Sequence, residues 1–158
     1  MTYDMQKRAK LRCMHLLEKR DYTEKQLRDK LRVGKTEYTP EVIDGAIAYV
    51  KSCRYIDDAR YACQYVECMK DRKSRRQIEQ ELFQRGVSRE YVESAFEQTE
   101  TVPEDGLIEK WLEKKHYCQE TADMKEVRRM YAFLARKGFS GEAISRALKK
   151  GTSEDIGF

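Results

Sequence analysis

Residues 81–96 read ELFQRGVSREYVESAF, and residues 133–148 read FLARKGFSGEAISRAL. The two stretches align without a gap. The identical positions are Leu82 and Leu134, Gly86 and Gly138, Ser88 and Ser140, Glu90 and Glu142, and Ala95 and Ala147. Similarity of this kind at a fixed spacing indicates that one supersecondary unit occurs repeatedly in the chain.

Each stretch has the pattern of a helix, a stop and a second helix. Gly86 and Gly138 follow a basic residue and fit the C′ position of a helix, because glycine enters the left-handed region at little cost. Ser88 and Ser140 come two residues later and suit an N-cap, where the hydroxyl accepts from a free backbone N–H. We therefore predict a helix–turn–helix at both places.

A third, looser copy lies near the start of the chain, where residues 22–31 align with residues 73–82. Both segments open with a capping box, in which an N-cap side chain and an N3 side chain each bond the other's backbone N–H. The boxes pair Thr23 with Gln26 and Ser74 with Gln77. After a turn two residues longer than in the other copies, the first copy resumes at Thr39 and Pro40, an N-cap followed by proline at N1.

These patterns predict an all-α protein of three tandem three-helix repeats, since strand signals are nearly absent. The predicted helices are 4–20, 24–32, 40–52, 58–71, 75–85, 89–98, 105–115, 122–137 and 141–149. The predicted domains are repeat 1 at 1–53, repeat 2 at 54–99, a linker at 100–104, repeat 3 at 105–150 and a frayed tail at 151–158.

The composition favours thin helical units with much exposed surface, because 38% of the 158 residues are charged and 40% are hydrophobic. No hydrophobic stretch approaches the length of a membrane span and no signal peptide opens the chain, so we expect a cytoplasmic protein. Five cysteines without a CxxC pair and only two histidines indicate reduced thiols and no zinc site.

Catalytic motifs are missing from the sequence, which contains no glycine-rich phosphate loop, HExxH or GxSxG. The adjacent acids Asp57 and Asp58 lack further oxygen ligands at loop spacing, and we interpret them as helix capping and dipole residues rather than a metal site. We therefore predict a protein that is not an enzyme, with no catalytic residues and no metal ligands.

Ten tyrosines could stack on nucleobases. However, Tyr55, Tyr61, Tyr65 and Tyr91 occupy apolar positions of the predicted helices, so we expect them to pack in the core.

Basic residues concentrate in two places. The first basic cluster is Lys70, Arg72, Lys73, Arg75 and Arg76, and the second basic cluster is Arg128, Arg129, Arg136 and Lys137. Clustered positive charge is typical of a surface that binds a polyanion or an acidic protein. A solvated helix face explains the same residues, and charge alone leaves both interpretations open.

The second repeat contains the string RYIDDARYA at residues 54–62, followed by Lys73-Ser74-Arg75 and by Arg85-Gly86-Val87. In these residues the repeat resembles the RecX family of bacterial regulators. The first repeat matches the family's Tyr-Ser/Thr-Glu-x-x-Leu-x-x-Lys-Leu string at residues 22–31, and the third matches its Leu-x-Arg-basic-Gly-Phe-Ser phrase at residues 134–140. The similarity covers residues 7–150 approximately.

The resemblance implies three tandem three-helix repeats in an elongated, curved, all-α array. It further implies binding to the RecA recombinase and its filament on single-stranded DNA, with lowered recombinase, ATPase and coprotease activities and no cofactor. We expect the DNA contact to be weak and non-specific. The expected contact residues are those of the two basic clusters.

The third repeat departs from the family pattern, since His116-Tyr117 stands where the second repeat has Arg54-Tyr55 and no Asp-Asp pair follows.

Two other functions are compatible with the sequence. A helix-turn-helix DNA-binding module, such as a transcription regulator, would explain the basic clusters, although no single recognition helix stands out among three similar units. A protein–protein adaptor without DNA contact would explain the repeats. We expect a monomer, because no repeat shows a leftover apolar stripe, and we expect no membrane partner.

Overall fold

The computed structural model describes residues 2–149, and all regular secondary structure in that range is helical. The helices are α1 Thr2–Lys19, α2 Glu24–Arg32, α3 Pro40–Ser52, α4 Asp58–Met69, α5 Arg75–Gln84, α6 Arg89–Glu97, α7 Glu104–Lys114, α8 Met124–Arg136 and α9 Gly141–Leu148. This order confirms an all-α chain of three successive three-helix repeats. The tail predicted to fray, 151–158, lies outside the described residues.

Side-chain caps begin most of the helices whose starts the sequence predicted. Thr23 and Gln26 form the complete capping box of α2, and Thr39 caps α3 ahead of Pro40. The second capping box is only half formed. Gln77 N–H donates to Ser74 Oγ at 3.1 Å, but the buried Gln77 Oε1 accepts no hydrogen bond. The prediction of a reciprocal box at that position was therefore wrong.

The two glycine turns adopt the predicted backbone. Gly86 has φ +87° and Gly138 has φ +92°, both in the left-handed region. In each turn the residue after the glycine donates its N–H to the carbonyl five residues earlier, Val87 to Leu82 at 3.0 Å and Phe139 to Leu134 at 3.3 Å. This bond satisfies a carbonyl that the end of the helix would otherwise leave free.

The chain divides into two compact units, and the second repeat is split between them. The first unit comprises Met1–Tyr65 and Glu81–Gln98, and the second comprises Val66–Gln80 and Thr99–Phe158. The core of the first unit lies among α1, α2 and α3 and includes the fully buried Ala9, Cys13, Leu27 and Val50.

The core of the second unit lies among α7, α8 and α9. Ile108, Leu134 and Ile144 are fully buried there, with Trp111 and Phe133 half-buried at its edge. Each fully buried aliphatic side chain stabilises the fold by about 1.5–3 kcal/mol relative to exposure. Glu104 connects the start of α7 to the start of α9, because its carboxylate accepts from Ser140 N–H at 2.6 Å.

The first unit contains a joint between the start of α2 and the turn that precedes α6. Thr23 Oγ1, which caps α2, also donates to the carbonyl of Arg85 at 2.6 Å. Lys25 lies so close to Gly86 that a Cβ on the glycine would come within 2.4 Å of Lys25 Cβ. The glycine thus allows both the left-handed turn and the close approach of α2.

The second unit contains the same joint between the start of α5 and the turn that precedes α9. Ser74 Oγ caps α5 and donates to the carbonyl of Lys137 at 3.2 Å. A Cβ on Gly138 would lie 2.5 Å from Ser74 Oγ and 2.8 Å from Gln77 Cβ. Each joint therefore uses an N-cap hydroxyl of one repeat and the glycine turn of the next repeat.

The match between His116-Tyr117 and Arg54-Tyr55 was wrong. Arg54-Tyr55 precedes α4, the first helix of repeat 2, whereas His116-Tyr117 follows α7, the first helix of repeat 3. The dipeptides look alike because each follows the end of a helix, which is α3 for Arg54-Tyr55 and α7 for His116-Tyr117. Arg54 (φ 60°) and His116 (φ 55°) occupy the left-handed C′ position that glycine usually takes.

Two of the tyrosines predicted to pack in the core are largely exposed. Tyr65 is buried and Tyr61 half-buried, but Tyr55 is 45% and Tyr91 is 43% exposed. Asp57 caps α4 as predicted, since Arg60 N–H donates to its Oδ1 at 3.0 Å. The Asp58 carboxylate instead accepts from Glu24 N–H at the start of α2, and burial raises its pKa.

Candidate functional site

Both predicted basic clusters lie in the second unit. The first cluster occupies the turn from α4 to α5 and the first residues of α5, and the second lies along α8 and just after its end. The six arginines of the two clusters are exposed, while Lys70, Lys73 and Lys137 are half-buried. The exposed residues are Arg72, Arg75, Arg76, Arg128, Arg129 and Arg136.

Two hydrogen bonds hold the turn of the first cluster against the third repeat. Trp111 Nε1 donates to the carbonyl of Arg72 at 2.9 Å, and Ser74 Oγ donates to the carbonyl of Lys137 at 3.2 Å. Because the bond from Trp111 uses only the backbone carbonyl of Arg72, the exposed Arg72 side chain remains available for other contacts. The second bond also brings the two clusters next to each other.

An aromatic pair lies where the clusters meet. The rings of Trp111 and Phe133 are 5.3 Å apart, with an interplanar angle of 74°. Lys137 Nζ lies 4.8 Å from the centre of the Trp111 ring, and Lys115 Nζ lies 4.7 Å from the centre of the Phe133 ring. Ammonium groups at this distance are attracted by the negative ring faces. The pair therefore holds Lys137 of the second cluster and also Lys115, which the prediction did not include.

Carboxylates neutralise part of the first cluster. Lys70 pairs with Glu67 at 2.7 Å, and Arg75 pairs with Glu79 at 3.5 Å. Within residues 2–149, no ion pair to a carboxylate is formed by Arg72, Arg76, Arg128, Arg129 or Arg136. These five guanidinium groups are thus the part of the predicted site whose charge is open to a partner.

A cleft of about 500 Å³ adjoins the second cluster, and we refer to it as the α7–α8 cleft. Its lining residues are Lys115, His116, Tyr117, Glu126, Arg129, Met130, Phe133 and Arg136. Glu126 is the one acid of this lining. Burial is the main cause that raises the pKa of Tyr117, and the Glu126 charge adds to it. The cleft is therefore apolar at its base and positive around it.

A larger cleft, of about 740 Å³, lies in the first unit and has a different charge arrangement. Four ion pairs join acids and bases of its lining, whereas Arg54 forms none within the described residues. The pairs are Arg28–Glu24 at 3.1 Å, Lys51–Glu24 at 2.8 Å, Lys25–Asp29 at 3.4 Å and Arg32–Asp29 at 3.4 Å. The hydrogen bond from Lys51 holds the pKa of Glu24 below its usual value. Because these pairs neutralise Lys25, Arg28, Arg32 and Lys51, the second unit, with five unpaired arginines in the described range, is the stronger candidate for binding an anionic partner.

Sequence models of known protein families match all three repeats. The model described as RecX, first three-helix domain, matches residues 9–49, the second three-helix domain matches residues 57–95, and the third matches residues 104–148. The regulatory protein RecX of Caldanaerobacter subterraneus is 33% identical over 150 residues, which cover 94% of this chain and 73% of that protein. The chain belongs to the RecX family.

Other RecX proteins and solved structures agree with this assignment. The regulatory protein RecX of Cronobacter sakazakii is 34% identical over 84% of this chain and 86% of its own length. A crystal structure of a regulatory protein RecX superposes with a TM-score of 0.73 at 25% identity, covering 94% of this chain and 74% of that one. The RecX structure from Lactobacillus salivarius, at 21% identity and a TM-score of 0.67, supports the fold.

Membership of the RecX family makes this chain a regulatory protein. Within the described range, no helix is long and apolar enough to cross a membrane. In the same range, no three His, Cys, Asp or Glu side chains are grouped in a way that could hold a metal ion.

Sequence reasoning missed several residues of this candidate site. Trp111 is the chain's single tryptophan, and Lys114, Lys115 and His116 lie three to five residues after it. That combination was a usable signal, since an aromatic residue beside a basic run can mark a binding surface. The contact of Trp111 with Arg72 had no signal, because 39 residues separate the two in sequence.

Proposed function

We propose that this RecX-family protein binds the RecA recombinase and its filament on single-stranded DNA, and that binding lowers the recombinase, ATPase and coprotease activities of RecA. Family membership supports the regulatory role. The observation that carries the proposed binding surface is the set of exposed arginines in the second unit that pair with no carboxylate in the described range.

Arginine suits both components of a nucleoprotein filament. Its planar guanidinium forms two parallel hydrogen bonds with a carboxylate or a phosphate and keeps its charge at all physiological pH values. We propose that both basic clusters contact the filament. Their residues are Lys70, Arg72, Lys73, Arg75, Arg76, Arg128, Arg129, Arg136 and Lys137. We further propose a monomer that works without a cofactor.

Direct DNA binding by this surface should depend steeply on salt. If four arginines each neutralise one phosphate of single-stranded DNA, the slope of log K against log salt is about −2.8, and affinity falls about 50-fold between about 50 and 200 mM salt. The binding should not depend on base sequence. A fluorescein-labelled oligothymidine and a mixed-sequence duplex, compared by anisotropy at several salt concentrations, measure both properties.

A charge-reversal variant tests the first cluster. Changing Arg72, Arg75 and Arg76 together to Glu should weaken binding to the oligothymidine and to the RecA filament assembled on it. The fold should tolerate the change, because acidic residues in the first turn of α5 are favourable, which offsets the loss of the exposed Arg75–Glu79 pair. Trp111 bonds only the carbonyl of Arg72 and keeps its partner.

A matched control changes Lys7, Arg8 and Lys35 to Glu. These three residues are exposed in the first unit, and the substitution alters the net charge by the same amount. If both triple variants bind the filament as wild type does, the assignment of the first cluster is wrong. Tight binding to one duplex sequence would instead identify a helix-turn-helix transcription regulator. Filament binding without any retardation of DNA at low salt would identify a protein adaptor.

A further inference from the structure

The α7–α8 cleft combines an apolar floor with a positive rim. Met130, Phe133 and Tyr117 are half-buried, and Met130 and Phe133 pack against the core of the second unit. Lys115, Arg129 and Arg136 are exposed around them. A ligand that fits this lining needs a large apolar group between negative groups. The apolar group covers the apolar floor and the negative groups pair with the positive rim, because burying the charged side chains without such partners would cost free energy.

The register of α8 sets the spacing of that ligand. Arg129, Phe133 and Arg136 follow the i, i+4, i+7 pattern of one helix face. The two arginines are therefore about 10.5 Å apart along the axis, with the phenyl ring between them. In an extended peptide, side chains at i, i+2 and i+4 share one face and the outer two are about 13 Å apart. Long arginine side chains can bridge the difference.

The rings of the cleft are poorly placed for stacking a nucleobase. The edge-on contact with Trp111 and the lysine ammonium groups occupy the surroundings of the Phe133 ring, at 4.7 Å for Lys115 and 5.5 Å for Lys137. A base would have to displace these charges from the ring, whereas a carboxylate would add to the lysine contacts. Met130 favours a peptide as well, since methionine adapts to varied side chains at protein-binding surfaces.

We propose that the α7–α8 cleft is a docking site for an extended acidic peptide segment of a partner protein with the pattern acid–x–large apolar–x–acid. Arg129 and Arg136 bind the two carboxylates, and Met130 receives the apolar side chain beside the Phe133 ring, which keeps its lysine contacts. Glu126, the one lining acid, weakens the interaction by repelling the peptide. The proposal shares two arginines with the proposed function but does not depend on RecA being the partner.

The test uses the full chain and a fluorescein-labelled peptide of sequence Ser-Asp-Ser-Phe-Ser-Asp-Ser, titrated by anisotropy at low salt in the absence of RecA and DNA. Saturable binding is expected. Changing Arg129 and Arg136 together to Gln should weaken it at least about tenfold, since each change removes a charge-assisted hydrogen bond. Replacing the peptide's Phe by Ser should weaken it by a similar factor.

Two single variants make the test specific to the cleft. Glu126→Gln should tighten peptide binding several-fold, a gain that partial unfolding of the variant could not produce. Lys110→Gln removes one charge from an exposed position of α7 outside the cleft and should leave binding unchanged. Absence of saturable binding, or binding that the arginine variant leaves unaltered, would overturn the proposal. If Glu126→Gln instead tightened the binding of oligothymidine and left peptide binding unchanged, the cleft would bind nucleic acid and the proposal would be overturned.

Discussion

Replacing Gly138 by alanine should destabilise the second unit by about 2–4 kcal/mol, through two separate effects. The left-handed backbone, with φ +92°, costs a non-glycine residue about 1–2 kcal/mol. The new Cβ would lie 2.5 Å from Ser74 Oγ and 2.8 Å from Gln77 Cβ, and overpacking of this kind costs about 1–3 kcal/mol. Reduced freedom of the unfolded chain offsets about 0.4–1 kcal/mol of the total.

The assay is urea unfolding followed by far-ultraviolet circular dichroism, with Gly34→Ala as the matched control. A Cβ on Gly34 would meet only the carbonyl of Lys30 at 3.7 Å, an ordinary contact, so that variant should stay within about 0.5 kcal/mol of wild type. A double variant adds Ser74→Ala, which removes the atom nearest to the new Cβ. If the clash is the cause, the double variant should lose less stability than the two single variants together.

Equal stability of Gly138→Ala and Gly34→Ala would refute the reasoning about this joint. An additive double variant would refute the assigned clash while leaving the backbone cost in place.

Three further predictions concern local features of the fold. Arg54→Gly should stabilise the protein by about 0.5–1 kcal/mol in the same urea assay, because it relieves a left-handed backbone angle; no gain would mean that the turn carries no strain. Burial and the hydrogen bond to Glu81 raise the pKa of Tyr65 to about 12, so folding favours the neutral phenol. The contribution of Tyr65 to the free energy of unfolding should be fully present below about pH 10 and be lost between about pH 10 and 12. Over that range the stability of Tyr65→Phe should decline less steeply, and parallel curves for the two proteins would contradict this. Burial raises the pKa of Cys13 to about 11, whereas hydrogen bonds from Thr121 lower that of the exposed Cys118. Iodoacetamide should therefore modify Cys118 before Cys13, as peptide mass spectrometry can measure, and the reverse order would contradict the burial of Cys13.

The features that could be predicted from the sequence are those set within a few residues. Gly86 and Gly138 were assigned to left-handed turns from the residues beside them, and both have the expected φ. The caps at Thr23, Thr39 and Ser88 were assigned in the same way, because an N-cap bonds a backbone N–H only two or three residues ahead.

The features that could not be predicted depend on contacts between distant segments. Ser74 carries the same capping pattern as Thr23, but the buried Gln77 Oε1 finds no partner, and nothing in the local sequence distinguishes the two. The cap of α8 is an aspartate, since Asp123 accepts from Glu126 N–H at 2.8 Å, whereas serine caps α5 in the second repeat. Comparison of the repeats therefore did not identify it.

The candidate site shows the same division. Both basic clusters are visible in the sequence, and their residues are proposed contacts. The pairing of Arg75 with Glu79, four residues away, was open to prediction from helix spacing. The contact of Trp111 with the Arg72 carbonyl and the lysines around Phe133 arise from the packing of α7 and α8, so they required the structure.

The single-stranded-DNA-dependent ATPase of the cognate RecA, titrated with this protein, tests the central claim most directly. We predict that ATP turnover falls at substoichiometric amounts of the protein, because a regulator of filament assembly acts on many RecA subunits at once. The variant with Arg72, Arg75 and Arg76 changed to Glu should require a higher concentration for the same loss. Unchanged turnover at a several-fold excess of the wild-type protein would contradict the proposed function.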